Sequence, residues 1–319
     1  MIRSPLSIAA ALLSLCLLPA AAAPAVAAHG GHDNGPARID LPPNWNPEGV
    51  TTDKKSVFSG SLATGEILKA DPRTGETRVL PESATGKPAV GLDFDKRRDV
   101  IWVAGGPSGE VRAQDAKTGE LLGTWTAPAT SNPNGRFIND LVVTKKAVYA
   151  TDSFNQELLV VPLERRHGHP IPASGPARLL PLTGDIVFDT SPGVFNANGI
   201  VKTKHGLVVG QSNTGMLFRV DKATGEATTI EGVSVPGADG IEPDHRTLFV
   251  TGNGVVTVVE LARDALSGEV VDTLTSPDLS VPSTSALVHH SLWVANARFG
   301  VPNPAGEFWL TRIPVGDDD

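Results

Sequence analysis

One phrase of sequence recurs six times along this chain, and only a fold with a matching repeat can accommodate it. Each copy is a few apolar residues, a short polar turn, and a second run rich in Val, Leu, Phe and Trp. The copies occupy 49–60, 91–104, 140–151, 199–210, 240–251 and 286–295. Their starts lie roughly 40 to 60 residues apart, room for four strands per unit. A third apolar run follows at 66–70, 110–113, 157–161, 216–220, 255–259 and 307–310. A turn carrying Asp and Thr-Gly-Glu comes next at 71–76, 115–120 and 221–226, with a looser version at 267–269. Glycine supplies the positive φ that such tight turns need. With no helical periodicity, the pattern predicts an all-β chain, a six-bladed β-propeller of four-stranded antiparallel blades. An open β-solenoid or two sandwiches are the alternatives, but solenoid repeats are usually shorter. Segment 37–41 precedes the first copy and is placed to supply the outer strand of the last blade, leaving no free sheet edge. Two Pro-rich stretches, 165–181 and 301–306, read as stiff surface loops.

The propeller is expected to span 37–319. Residues 1–28 have a basic start at Arg3, an apolar run through Leu18 and small residues after it, the order of a secretory signal peptide. Residues 29–36 read as a flexible polar tail in which two histidines sit among glycines. The expected location is therefore outside the cytoplasm, extracellular or periplasmic. Cys16, the one cysteine, lies in the apolar run, so the mature chain is expected to carry no disulfide or thiol chemistry. A net charge of −8 with no basic block argues against nucleic acid as a partner. No later segment is long and apolar enough to suggest a membrane span.

The position just before each innermost strand is the most informative. In register the six repeats offer Glu48, Val90, Asn139, Asn198, Asp239 and Ser285. Inner strands of a propeller line the channel, so these residues are expected to converge on one mouth of it. Glu48, Asn139, Asn198 and Asp239 bring oxygen donors, two of them carboxylates. That set suits a hard divalent cation: Ca²⁺ first, with Mg²⁺ and Mn²⁺ as alternatives. Asx-Gly pairs such as Asn198-Gly199 are also ordinary turn formers. Recurrence at equivalent positions, together with a Glu that turns disfavour, argues for the site.

The motifs Pro47-Glu48-Gly49-Val50, Asn139-Asp140-Leu141, Asn198-Gly199-Ile200 and Asp239-Gly240-Ile241 each open a blade, in that order. With them the chain resembles the senescence marker protein (regucalcin)/gluconolactonase/luciferin-regenerating-enzyme-like family, also called the calcium-dependent phosphotriesterase superfamily. The resemblance covers most of the chain after about Asn44. It implies metal ligands at Glu48, Asn198 and Asp239 and a polar substrate contact at Asn139. The chain departs from a typical sugar lactonase in its apolar Val90 and in lacking a clear arginine to grip a sugar acid.

A cation at such a mouth polarises a carbonyl and acidifies bound water, and a carboxylate beside it can act as base. Asp239 is the candidate base. The expected function is a secreted, divalent-metal-dependent lactonase or esterase acting on a small-molecule lactone or ester. The alternative is a non-catalytic secreted binding propeller with a structural metal in its channel. Gly-x-Ser-x-Gly is absent, and the histidines are scattered, which argues against a serine triad. Second strands run back to the same mouth, placing Asp152, Gln211, Asn253 and Asn296 there, either as substrate or supporting contacts or merely as strand ends.

Overall fold

The computed structural model describes residues 35–164, 168 and 170–316. The expected signal peptide, and residues 29–34 of the expected tail, lie outside the described residues. The described residues contain strands and no helix, arranged as six small sheets in a ring: a six-bladed β-propeller. No helix long and apolar enough to cross a membrane occurs among them.

From the channel outwards, blade one is Pro47–Thr52, Val57–Ser61, Ile67–Ala70 and Thr77–Val79. Blade two is Leu92–Asp95, Val100–Ala104, Glu110–Asp115 and Leu121–Thr126. Blade three is Ile138–Val143, Ala147–Asp152, Glu157–Pro162 and Arg178–Pro181. Blade four is Ala197–Lys202, Leu207–Gln211, Met216–Val220 and Glu226–Thr229. Blade five is Ile241–Asp244, Thr247–Gly252, Val255–Leu261 and Gly268–Leu274. Blade six joins Pro282–Val288, Ser291–Asn296 and Trp309–Pro314 to Arg38–Asp40 from the start of the described chain. The Thr-Gly turns between third and outer strands share one construction. Gly75, Gly119 and Gly225 have φ of 78°, 82° and 77°, and each donates its N–H to the carbonyl of Asp71, Asp115 or Asp221.

Strand alternation explains why the sheets form a ring. Along Val100–Ala104, Val100, Trp102 and Ala104 face blade three, whereas Ile101 and Val103 face blade one. Every blade is therefore apolar on both faces. The result is six clusters of buried side chains, one between each pair of consecutive blades, including blades six and one.

Closure is made by the strand expected to make it. Arg38 pairs with Thr311, Ile39 with Leu310 and Asp40 with Trp309. Ile39, 1% exposed, enters the cluster between blades six and one. The guanidinium of Arg38 lies 4.1 Å over the Trp309 ring.

The 165–181 stretch is not simply a loop. It contains blade three's outer strand, Arg178–Pro181, and a two-residue strand, Gly175–Pro176, that adds in parallel to the edge of blade two. Downstream, Thr183–Gly184 adds in parallel to blade four, so one connection ties three blades at the rim. In blade six the third strand begins at Trp309 rather than Glu307, whose N–H donates to Asn303 Oδ1 and whose carbonyl accepts from Arg298 and Asn303.

The closing strand should carry measurable stability. Ile39→Ala is expected to cost about 2–5 kcal/mol in urea unfolding, and exposed Asp40→Ala about 0.5 kcal/mol or less. Equal small losses would mean that the ring does not depend on this strand.

Candidate functional site

Each inner strand begins with the same irregularity. In blades one, three, four and six the register slips between Pro47 and Val50, Ile138 and Leu141, Ala197 and Ile200, and Pro282 and Ser285. Two inner-strand residues there oppose one on the second strand, which is a β-bulge. Blades two and five match: Val90 N–H bonds to the Ala104 carbonyl while Ala104 N–H bonds to Gly91, and Asp239 and Gly240 flank Thr251 in the same way. The first bulge residues are Glu48, Val90, Asn139, Asn198, Asp239 and Ser283. This corrects blade six, where the equivalent residue is Ser283 and not Ser285. Thr284 follows it where four other blades have glycine, so no glycine marks the bulge in the sequence.

Backbone bonds between blades hold this ring. Gly91 N–H donates to the Asn139 carbonyl at 2.8 Å, Gly199 to Asp239 at 2.9 Å and Gly240 to Ser283 at 2.8 Å. Thr151 Oγ1 donates to the Asn198 carbonyl and Ser283 Oγ to the Glu48 carbonyl, both at 2.7 Å. Where glycine stands at the second bulge position, in blades one, two, four and five, the approach leaves no room for a side chain. A Cβ on Gly199 would lie 2.2 Å from the Asp239 carbonyl oxygen, and one on Gly49 would lie 2.1 Å from that of Val90.

The polar ring residues are oriented and incompletely bonded. Ser153 Oγ donates to the Ala197 carbonyl at 2.7 Å and accepts from Asn139 Nδ2 at 3.0 Å. Ser212 Oγ donates to the Ala238 carbonyl at 2.6 Å and accepts from Asn198 Nδ2 at 3.1 Å. Each serine thus fixes which end of its asparagine is nitrogen. The other ends, Asn139 Oδ1 and Asn198 Oδ1, have no hydrogen-bond partner, and neither does Glu48 Oε2. These residues are 3%, 7% and 6% exposed, where an unsatisfied acceptor costs about 1–3 kcal/mol. Asp239 is half-buried.

The charges in the channel repel one another. Burial pushes the Glu48 carboxyl well above its ordinary range, and the nearby charges of Asp239 and Asp140 raise it further. Burial raises Asp239 to about 7 against the pull of the Asn198 amide. Asp140 is raised to about 8 by burial and by Asp93 and Asp239, although the Leu141 and Ile200 N–H groups stabilise its charged form. A cation among these oxygens would relieve both the repulsion and the orphaned acceptors. Among the described residues no group of three or more His, Cys, Asp and Glu side chains is placed to hold a metal, so any ion here would also need the amide oxygens. All-oxygen donors with two carboxylates fit a hard divalent ion.

The other predicted contacts are occupied locally. Asp152, fully buried, accepts N–H bonds from Phe137, Phe154 and Asn155 and pairs with Arg136 at 2.8 Å. Gln211 donates to the Val187 carbonyl, and Asn296 bonds to Ser280, Trp309 and Thr311. Asp152, Gln211 and Asn296 share one place, opposite Ile138, Ala197 and Pro282. Asn253 lies in the following turn, exposed, donating to the Pro236 carbonyl. Each of these four side chains thus bonds to loop backbone. Sequence reading missed Ser153 and Ser212. Their signal was a shared spacing, each lying 14 residues after its asparagine.

The channel also holds a cavity of about 360 Å³ lined by later inner-strand residues, including Asp93, Asp140, Glu242 and Lys202. It faces the opposite mouth. The described histidines His205, His245, His289 and His290 lie in or beside the hairpins on that opposite side.

No protein-family model and no curated sequence matches the chain. Solved structures do match. The major Malassezia sympodialis allergen Mala s 1 superposes with a TM-score of 0.62 at 13% identity, over 87% of this chain and 96% of that one. A calcium-binding protein, regucalcin, from Agrobacterium tumefaciens gives 0.57 at 17% identity, over 88% and 96%. Virginiamycin B lyase from Staphylococcus aureus gives 0.53 at 13% identity, over 87% of each chain. At these identities the likeness establishes the propeller fold. It also shows that propellers of this shape include a calcium-binding protein and an enzyme.

The carboxyl shifts have a measurable sign. Asp239, Asp93 and Glu242 are each raised to about 7 and Asp140 to about 8 by burial. Between their ordinary values and these, the folded chain binds more protons than the unfolded one, so stability falls as pH rises. In chelator, the thermal midpoint should be higher at pH 6 than at pH 8.5. A flat or rising profile would contradict the placement of these carboxyls.

Proposed function

We propose that this chain is a divalent-metal-dependent hydrolase of the regucalcin/gluconolactonase type, acting on a lactone or ester outside the cytoplasm. The observation carrying the reading is the set of three buried acceptors, Glu48 Oε2, Asn139 Oδ1 and Asn198 Oδ1, left unpartnered on the ring that includes half-buried Asp239. Glu48, Asn198 and Asp239 would hold the ion, Ca²⁺ before Mg²⁺ or Mn²⁺, and Asn139 would position substrate. Bound there, the ion would polarise an acyl carbonyl and acidify water.

The chain's own part in the reaction is proton handling and positioning. Asp239 is the more exposed of the two ring carboxylates. It takes the proton of a water adding to the acyl carbon and returns it to the departing alkoxide oxygen as the acyl C–O bond breaks. A lactone opens to its hydroxy acid, and an ester gives acid and alcohol. Asn139, its nitrogen held by Ser153, presents a fixed carbonyl oxygen to a substrate hydroxyl or water.

A second reading is a binding propeller with a structural ion, favoured by the low exposure of Glu48, Asn139 and Asn198. A panel of lactones and aryl esters, assayed in chelator and with each ion restored singly, separates the two. Asp239→Asn at saturating metal should remain roughly 10²- to 10⁴-fold slow, the usual worth of a general base. Glu48→Gln should recover most of its rate once metal saturates. Asn139→Ala should mainly raise KM. Equal residual losses for Asp239→Asn and Glu48→Gln would remove Asp239 as the distinctive base, and metal-independent inactivity of the wild-type chain would favour the binding reading.

A further inference from the structure

Three phenylalanines meet beside the ring. Phe137 and Phe195 have ring centroids 5.0 Å apart and nearly perpendicular, Phe154 and Phe195 are also 5.0 Å apart, and Phe137 and Phe154 are 5.9 Å apart. All three belong to segments that deliver ring residues. Phe137 precedes Asn139 by two positions, Phe195 precedes Asn198 by three, and Phe154 follows Ser153. Asp152 fixes two of them, its Oδ1 accepting N–H bonds from Phe137 and Phe154, while Phe137 and Asn196 bond to the Ser153 backbone. Phe137 also packs against the cluster between blades two and three, to which Val90, 1% exposed, belongs.

That packing does not account for Phe154 and Phe195, which belong to none of the interblade clusters among the described residues. The other close ring pairs, Phe58–Phe94 and Trp102–Trp125, belong to the clusters between blades. Phe195, in contrast, is 37% exposed. An aromatic group left open beside a polar ring marks a surface that binds something apolar. None of these three side chains can hydrogen-bond a sugar hydroxyl. Arg136, next in sequence to Phe137, is committed to Asp152, Glu157 and the Pro128 carbonyl.

Resting on the hydrolase reading above, we infer that Phe137, Phe154 and Phe195 form the wall that receives an apolar acyl or aryl group. The substrates are then esters and lactones with a hydrophobic substituent, and polyhydroxylated sugar lactones are poor ones. Water adds across the acyl C–O bond as before; the wall only orients the group attached to it.

The test compares dihydrocoumarin with glucono-δ-lactone as substrates at saturating Ca²⁺. It also compares their lactam counterparts, dihydroquinolinone and gluconolactam, as non-hydrolysed ligands followed by calorimetry. The wild-type chain should prefer the aryl compound in both assays. Phe195→Ala, an exposed site that should fold, is expected to lower kcat/KM on dihydrocoumarin and affinity for its lactam by about tenfold or more, the scale of lost apolar contact in a specificity pocket. Phe195→Leu should restore most of it, and neither change should affect the sugar compounds. Turnover with equal or greater preference for the sugar lactone overturns the wall and leaves the hydrolase. Aryl-lactam binding that depends on Phe195, with no turnover of any ester, overturns the hydrolase and leaves the wall. Neither turnover nor aryl-lactam binding overturns both.

Discussion

The bulge at the start of each inner strand is the constraint on which the rest of the molecule depends. Six strands converge at one mouth so closely that in four of the blades a neighbour's backbone fills the space beside the second bulge residue. Glycine stands there in blades one, two, four and five, and at Gly199 and Gly49 a Cβ would overlap a carbonyl oxygen of the next blade. The backbone of the first bulge residue is tied to the preceding blade through its carbonyl at Asn139, Asn198, Asp239, Ser283 and Glu48. Each such bond is worth about 1 kcal/mol net, but breaking one strands a buried acceptor at greater cost. The ring is consequently rigid, and side chains on it are positioned by backbone geometry.

This rigidity explains how the channel tolerates its chemistry. Glu48, Asp239 and Asp140 influence one another's ionisation, and three acceptors lack partners. A loosely built mouth would move to bring these groups to water. Here the bulge bonds and the serines that hold the two asparagine nitrogens prevent it. The six interblade clusters, closed by Ile39, supply the stability that offsets the strain. Groups kept uncomfortable by a well-packed frame are characteristic of binding and catalytic sites.

Much of this was legible in the sequence because it is local. The six repeats and the Thr-Gly turns follow from short-range pattern, and the closing role of 37–41, a pairing with Trp309–Pro314, from its place before the first repeat. Glu48, Asn139, Asn198 and Asp239 were found because each stands just before an apolar strand. Two misreadings have equally local causes. In blade six Thr284 replaces the marker glycine, so the register settled on Ser285 instead of Ser283. The outer strand Arg178–Pro181 was hidden in a Pro-rich stretch. Asp152, Gln211 and Asn296 lie at the expected mouth, but their bonds to loop backbone depend on tertiary paths that no periodicity reveals. The aromatic group needed three separate loops to meet.

Under the proposed function, the ring residues Glu48, Asn198 and Asp239 would hold one divalent cation. Calorimetric titration of Ca²⁺ into chelator-stripped protein, repeated at pH 7 in buffers of different ionisation enthalpy, tests it most directly. With Asp239 raised to about 7 and Glu48 also raised, ion binding must expel protons. One ion per chain should bind, with proton release that shrinks in Asp239→Asn. Absence of Ca²⁺, Mg²⁺ and Mn²⁺ binding, or binding that releases no protons and is unchanged by Asp239→Asn, would contradict it.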